Sequence, residues 1–199
     1  MAAYDSRAHG ESDGEACTYG FFEKEDLRRV LDQLDAAPIV LIGTSLGGAV
    51  ALQAAAEDRR IRAVVAAETF SDLRTVVMDR TPYVLPEFLV DRALALAGRQ
   101  ARFNSTRVTP VDAARAIGIP VLLIHGAADV DTPPAHSRRI FAALRGSKRL
   151  IVVPAAAHNQ SLRGDVWPDI ERWIDSVLVQ MADSRPGQTR IRSAEARPM

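Results

Sequence analysis

The chain has a single cysteine, Cys17, in 199 residues. One thiol excludes an internal disulfide and agrees with a reducing compartment. No base stands near Cys17 in the sequence, so it reads as an idle or buried thiol rather than a nucleophile. Charge of one sign is also missing, because 25 basic residues balance 25 acidic ones. Nothing global therefore favours nucleic acid or an anionic membrane surface. No apolar run approaches the ~20 residues of a membrane span. Met1 to Gly14 is small, polar and charged, without the apolar stretch of a secretory leader. These absences point to a soluble, cytoplasmic protein. No clustered His/Cys ligand spacing is present, so neither a metal nor an organic cofactor is implied. There is no internal repeat.

What remains is ordinary globular material. Hydrophobic content of 47% and charged content of 25% suit one domain with a full core. Four short apolar runs read as strands, Ile39–Ile42, Ile61–Ala67, Ile119–His125 and Arg149–Val153. Each is continuous rather than alternating, as expected for strands covered on both faces. Helical patterns fall between them. Leu27, Val30, Leu31 and Leu34 recur at i, i+3, i+4, i+7, behind an acidic first turn, predicting a helix that ends near Ala37. Further helices are expected over 48–57, 110–117 and 133–145. A last one spans about Val166 to Met181, with Asp165 as a candidate cap. Strand–helix alternation predicts a parallel α/β sheet with right-handed crossovers.

Three segments stand outside that rhythm. Residues 1–5 read as the end of a strand, and Arg7 to Thr18 as a loop. Residues 69–108 carry Phe70, Val76, Val77, Tyr83, Leu85, Phe88, Leu89 and Leu94 without a strand pattern. They are too apolar for a solvated loop and read as helical pieces laid over the sheet, a lid. Residues 182–199 are polar, with Pro and Gly, and read as a disordered tail beyond a core of residues 1–181.

The chemistry centres on Gly43-Thr44-Ser45-Leu46-Gly47, placed between the first strand and its helix. With Gly and Ser each near 7% usage, chance gives about 0.07 such patterns in a chain this long. The glycines on either side are expected because strand and helix approach too closely for side chains there. Serine needs a base to take its proton, and the base needs a carboxylate to orient it. The acid is sought just past a later strand. Asp129 follows Pro120–His125 through Gly126-Ala127-Ala128, and Asp131 is its rival. However, Thr132-Pro133 reads as a helix cap followed by proline, which assigns Asp131 to the helix start. For the base, His158 follows the last strand and precedes the last helix. His136, beside Ser137, Arg138 and Arg139, is expected to face solvent. His125 ends a strand ahead of the acid, and His9 lies in the N-terminal loop.

These motifs together resemble the α/β-hydrolases of the serine esterase, thioesterase and peptidase type. Gly43-Thr44-Ser45-Leu46-Gly47-Gly48 resembles the family's nucleophile elbow. His125-Gly126-Ala127-Ala128-Asp129 resembles its acid turn, and Ala157-His158-Asn159 its base loop. Tyr4 to Ser12 resembles the D-x-R-G-x-G-x-S loop after the family's fourth strand, with Ala8 where glycine is usual. The resemblance implies an α/β-hydrolase-like parallel sheet that is N-terminally truncated. The three upstream strands, the first helix and the loop giving one oxyanion-hole donor would precede Tyr4. The sheet would then have an open edge, or residues 1–5 would pair with 38–42.

The implied activity is a serine hydrolase cleaving a small-molecule carboxylic ester or thioester. Ser45 is the nucleophile, His158 the base, Asp129 the orienting acid, and the Leu46 N–H one oxyanion donor. No candidate for a second donor is visible. The apolar 69–108 segment suggests a substrate with an apolar part. Two alternatives stay open, a serine peptidase of the same fold and a non-catalytic or weakly active truncated hydrolase.

Overall fold

The computed structural model describes residues 1–34 and 38–183. Four parallel strands form one sheet in the order β1-β2-β3-β4, namely Ile39–Thr44, Ile61–Ala67, Val121–Gly126 and Lys148–Val153. The helices are α1 (Glu23–Leu31), α2 (Leu46–Ala55), α3 (Leu73–Arg80), α4 (Glu87–Gln100), α5 (Pro110–Ala114), α6 (Ala135–Ala143) and α7 (Trp167–Asp183). A single 3₁₀ turn covers Ser105–Arg107.

The central strands β2 and β3 are buried on both faces, as their apolar runs predict, whereas the edge strands β1 and β4 are only partly covered and leave Ile42 and Val152 exposed. Strand side chains alternate between faces. Val64, Ala66, Val121 and Leu123 pack against α1, α2, α5 and α6. Ala63, Val65, Ala67, Leu122 and Ile124 pack against Ile170, Trp173 and Val177 of α7. A third cluster joins Phe70, Leu73, Val76, Phe103 and Val108 to Ala49 of α2, with Phe21 and Phe22 beside it.

The segment 69–108 is therefore double in character. Its two ends are core, whereas the α3–α4 turn carries Tyr83 and Val84, and the start of α4 carries Phe88 and Leu89, into solvent, Tyr83 at 99% exposure. The Arg80 guanidinium, at the end of α3, donates to Asp131 O and Thr132 Oγ1. The helical pair thus stands beside the loop that follows β3.

Several expectations are corrected. Residues 1–5 form no strand, so among the described residues β1 has β2 as its one neighbour. The 4–12 loop instead folds on itself, with Asp5 accepting from Glu11 N–H and Ser12 Oγ–H donating to Asp5 O. Ala8 holds φ 57 there, a left-handed conformation that costs a side-chain-bearing residue about 1 kcal/mol and explains why glycine suits the position. Helix α1 ends at Leu31. Leu34 lies outside it and is exposed, and the expected end at Ala37 lies outside the described residues. Helix α6 begins two residues after the Thr132-Pro133 pair and is not capped by Thr132, whose Oγ1 accepts from the Arg80 guanidinium instead. Helix α7 runs to Asp183, and residues 184–199 of the expected tail lie outside the described residues.

His136 is fully buried, not solvent-facing. It shares the inner face of α6 with Ile140, one turn on. Its Nδ1 accepts from Ser71 N–H at 3.0 Å, so the ring proton is on Nε2. Nε2 lies 3.0 Å from Asp79 Oδ2 but off the hydrogen-bond direction. Burial pushes the imidazole below the usual histidine range, the Asp79 carboxylate opposes this, and Arg139 adds to it. The unfolded chain therefore binds a proton more readily than the folded one. His136 contributes its full stability above about pH 6.5 and loses it as pH falls below that value. Thermal melting should fall more steeply between pH 7 and pH 5 in wild type than in His136→Asn, which keeps an acceptor near the Nδ1 position. Equal slopes would contradict this role.

Candidate active site

In a parallel sheet every strand ends on the same side, so residues just past the strands converge without being close in sequence. Ser45 follows β1, Asp129 follows β3 and His158 follows β4. Ser45 holds φ 50 and ψ −115, outside the regions open to ordinary side chains. Such a residue costs about 1–3 kcal/mol and persists only where its surroundings fix it. Here its N–H donates to Ala67 O at 2.8 Å, and α2 begins at the next residue. The turn projects the serine side chain clear of the sheet.

Its tightness has a visible cause. A Cβ on Gly43 would lie 2.4 Å from the carbonyl carbon and oxygen of Gly47, and 2.7 Å from Gly48 N. Gly47 is different, since a Cβ there would meet nothing within 4 Å. The expectation that both flanking glycines are sterically required is thus corrected to Gly43 alone.

The three side chains expected from the sequence lie in a line. His158 Nε2 is 3.0 Å from Ser45 Oγ, and His158 Nδ1 is 2.7 Å from Asp129 Oδ2. A carboxylate oxygen only accepts, so Nδ1 carries the ring proton and Nε2 faces Ser45 with its lone pair. The other oxygen, Asp129 Oδ1, accepts from the N–H groups of Asp131 and Thr132 at 3.0 and 2.8 Å. The rival Asp131 is exposed and touches the line only through that N–H.

His125, buried at the end of β3, braces the acid from below. Its Nε2–H donates to Thr132 O at 2.6 Å and lies 3.3 Å from Asp129 Oδ2, while Nδ1 accepts from Ser137 Oγ. Asp129 is fully shielded from solvent, whereas 12% of the His158 side chain is exposed. Leu46 is the first residue of α2, where a backbone N–H has no intrahelical partner and the helix dipole is positive.

Cys17 is half-buried and far along the chain from this line, and burial pushes its thiol above the usual cysteine range. Cavities of about 650 and 800 Å³ flank α4, the larger lined by Arg7, Cys17, Phe22, Leu73 and Leu94; neither includes Ser45, Asp129 or His158.

One member of this region carries no local sequence signal beyond an acid after a strand. Glu68 directly follows β2, is 1% exposed, and accepts from the N–H groups of Asn159, Gln160 and Ser161. Its partners lie more than ninety residues away in the chain.

Comparison with known proteins agrees with this architecture. A family described as the alpha/beta hydrolase fold matches residues 1–114. The uncharacterized protein YfhR of Escherichia coli K12 is 30% identical over 184 residues, covering 88% of this chain and 59% of YfhR. YqkD of Bacillus subtilis, also uncharacterized, is 30% identical over 171 residues, covering 79% of this chain and 55% of its own length. The chain therefore spans somewhat over half the length of the curated relatives it matches. Among solved structures, an esterase from Pyrococcus furiosus superposes with TM-score 0.67 at 23% identity, over 88% of this chain and 68% of that one. An acetyl xylan esterase from Thermoanaerobacterium gives 0.57 at 20% identity, over 77% of this chain and 50% of that one. Among the described residues, no helix is long and apolar enough to cross a membrane. With the strand-to-helix serine turn, the parallel sheet and a family match over more than half its length, the chain belongs to the α/β-hydrolase fold family.

Proposed function

We propose that the chain is a serine hydrolase that cleaves a carboxylic ester or thioester through an acyl-enzyme. The observation that carries this is the continuous line from Ser45 Oγ through His158 to Asp129, at 3.0 and 2.7 Å. In this reading Ser45 Oγ attacks the substrate carbonyl carbon while His158 Nε2 takes its proton. Asp129 holds the imidazole in the productive tautomer and stabilises the imidazolium as it forms. The Leu46 N–H donates to the oxyanion, helped by the positive end of α2. His158 then passes its proton to the departing alcohol or thiol. Water, deprotonated by His158, attacks the acyl-serine and restores Ser45.

The esterases among the similar folds favour an ester over an amide as substrate. In this reading the α3–α4 pair is a lid beside the acid loop, and its exposed Tyr83, Phe88 and Leu89 suit an apolar acyl or alcohol group.

The test compares a p-nitrophenyl ester with an aminoacyl anilide, on wild type and Ser45→Ala. Wild type should hydrolyse the ester, and Ser45→Ala should retain less than about 10⁻³ of that rate. Hydrolysis of the anilide in preference to the ester would favour a peptidase. Equal ester rates in the two proteins would remove Ser45 from the mechanism.

A further inference from the structure

Three backbone N–H groups in a row point at one buried carboxylate. Glu68 Oε2 accepts from Asn159 N–H, and Oε1 accepts from Gln160 N–H at 3.1 Å and Ser161 N–H at 2.8 Å. These three residues immediately follow His158. A buried carboxylate is costly to desolvate unless donors surround it, and here all three donors come from the loop that carries the histidine. The loop needs such an anchor. Ala155 and Asn159 both hold left-handed φ values, 54 and 61, which disfavour residues with a side chain.

Glu68 is itself rigidly mounted. Its N–H donates to Ile124 O at 2.8 Å, and its own φ of 52 turns the side chain away from the strand direction. The residue before it, Ala67, accepts the N–H of Ser45. Two consecutive residues at the end of β2 therefore fix both ends of the 3.0 Å contact between Ser45 and His158. Ala67 holds the serine turn through its carbonyl, and Glu68 holds the histidine loop through its carboxylate. Acid turn and base loop are tied separately, Ala127 N–H to Val153 O and Ala128 N–H to Ala156 O, both at 2.9 Å. Those bonds stop short of His158, and the Glu68 bonds begin just after it.

We propose that Glu68 is a positioning residue for His158, setting the imidazole at hydrogen-bond distance from Ser45 by gripping the 159–161 backbone. This rests on the serine-hydrolase reading above. A misplacement of about 1 Å at a reacting group can lower turnover on the order of 10²-fold. The loss should fall on kcat, because Glu68 is buried and offers no surface to a substrate.

The experiment uses Glu68→Gln and Glu68→Ala in the full chain, with rates normalised to folded protein. Glutamine has one acceptor oxygen, which takes the two-donor position and leaves an NH₂ facing Asn159 N–H. Amide hydrogen exchange should therefore speed up mainly at Asn159 in Glu68→Gln, and at all three residues in Glu68→Ala. For p-nitrophenyl ester hydrolysis, kcat should fall about tenfold in Glu68→Gln and about a hundredfold in Glu68→Ala, with KM changing less than twofold. Labelling by an alkyl fluorophosphonate should slow in parallel. If Glu68→Ala does not fold, the glutamine variant alone decides. An active wild type whose folded Glu68 variants keep kcat within twofold overturns this assignment alone, even if their melting temperatures drop. A folded wild type that neither labels nor hydrolyses the ester overturns the serine-hydrolase reading, and this assignment with it.

Discussion

Replacing Asp129 by asparagine is expected to lower kcat for ester hydrolysis about 10⁴-fold, roughly 5 kcal/mol of transition-state stabilisation. The size follows from where the four lone-pair contacts of this side chain go. Oδ1 is committed to the N–H groups of Asp131 and Thr132. An asparagine must put its single oxygen there, so its NH₂ faces His158 Nδ1. A donor now meets the nitrogen that carried the proton. The imidazole answers by moving its proton to Nε2, and Nε2 then has no lone pair for the Ser45 hydroxyl. The two backbone contacts and the shape survive, so the chain should still fold. Steady-state hydrolysis of a p-nitrophenyl ester, with circular dichroism as the folding control, reads both quantities. A folded Asp129→Asn protein within tenfold of wild type would contradict the role given to Asp129.

The second large effect is structural. Gly43→Ala places a methyl group 2.4 Å from the backbone carbonyl of Gly47 and 2.7 Å from Gly48 N. Backbone atoms at the start of a helix cannot rotate aside as a side-chain tip does. Either α2 shifts away from β1 or the serine turn opens. Both break a packed interface in which Ala49, Val50 and Leu52 are buried. Overpacking typically costs about 1–3 kcal/mol, and rigid backbone on the receiving side puts this case near the upper end, a large part of the 5–15 kcal/mol that holds a typical domain together. Gly43→Ala should therefore be insoluble or unfold well below wild type in urea. Gly47→Ala, with open space around its Cβ, should melt within about 0.5 kcal/mol of wild type. Similar midpoints for the two variants would show that the elbow is not held as described.

The sheet was legible because its strands are short apolar runs, two of them (β2 and β3) buried on both faces, and all four strands lie where those runs are. The serine, acid and histidine were legible because strand ends converge in a parallel sheet, so position along the chain stands in for position in space. What local pattern could not supply was partner identity. Thr132-Pro133 looks like a helix cap until Thr132 Oγ1 is seen to accept from Arg80 rather than from the first turn of α6. His136 looks solvated beside two arginines, although its i, i+4 relation to Ile140 was there to be used. Glu68 is a lone acid after a strand, and only the folded chain brings the 159–161 amides to it. The paired glycines of the elbow look equivalent in sequence and differ in three dimensions, because only the Gly43 Cβ direction points into the helix.

In the proposed mechanism Ser45 is a nucleophile activated by His158. This role is tested most directly by treating folded protein with an alkyl fluorophosphonate and mapping the adduct by peptide mass spectrometry. The predicted result is one stoichiometric phosphonyl group on Ser45 in wild type, none in Ser45→Ala, and labelling slowed at least a hundredfold in His158→Ala. An unlabelled wild type, an adduct on another residue, or equal labelling in His158→Ala would contradict it.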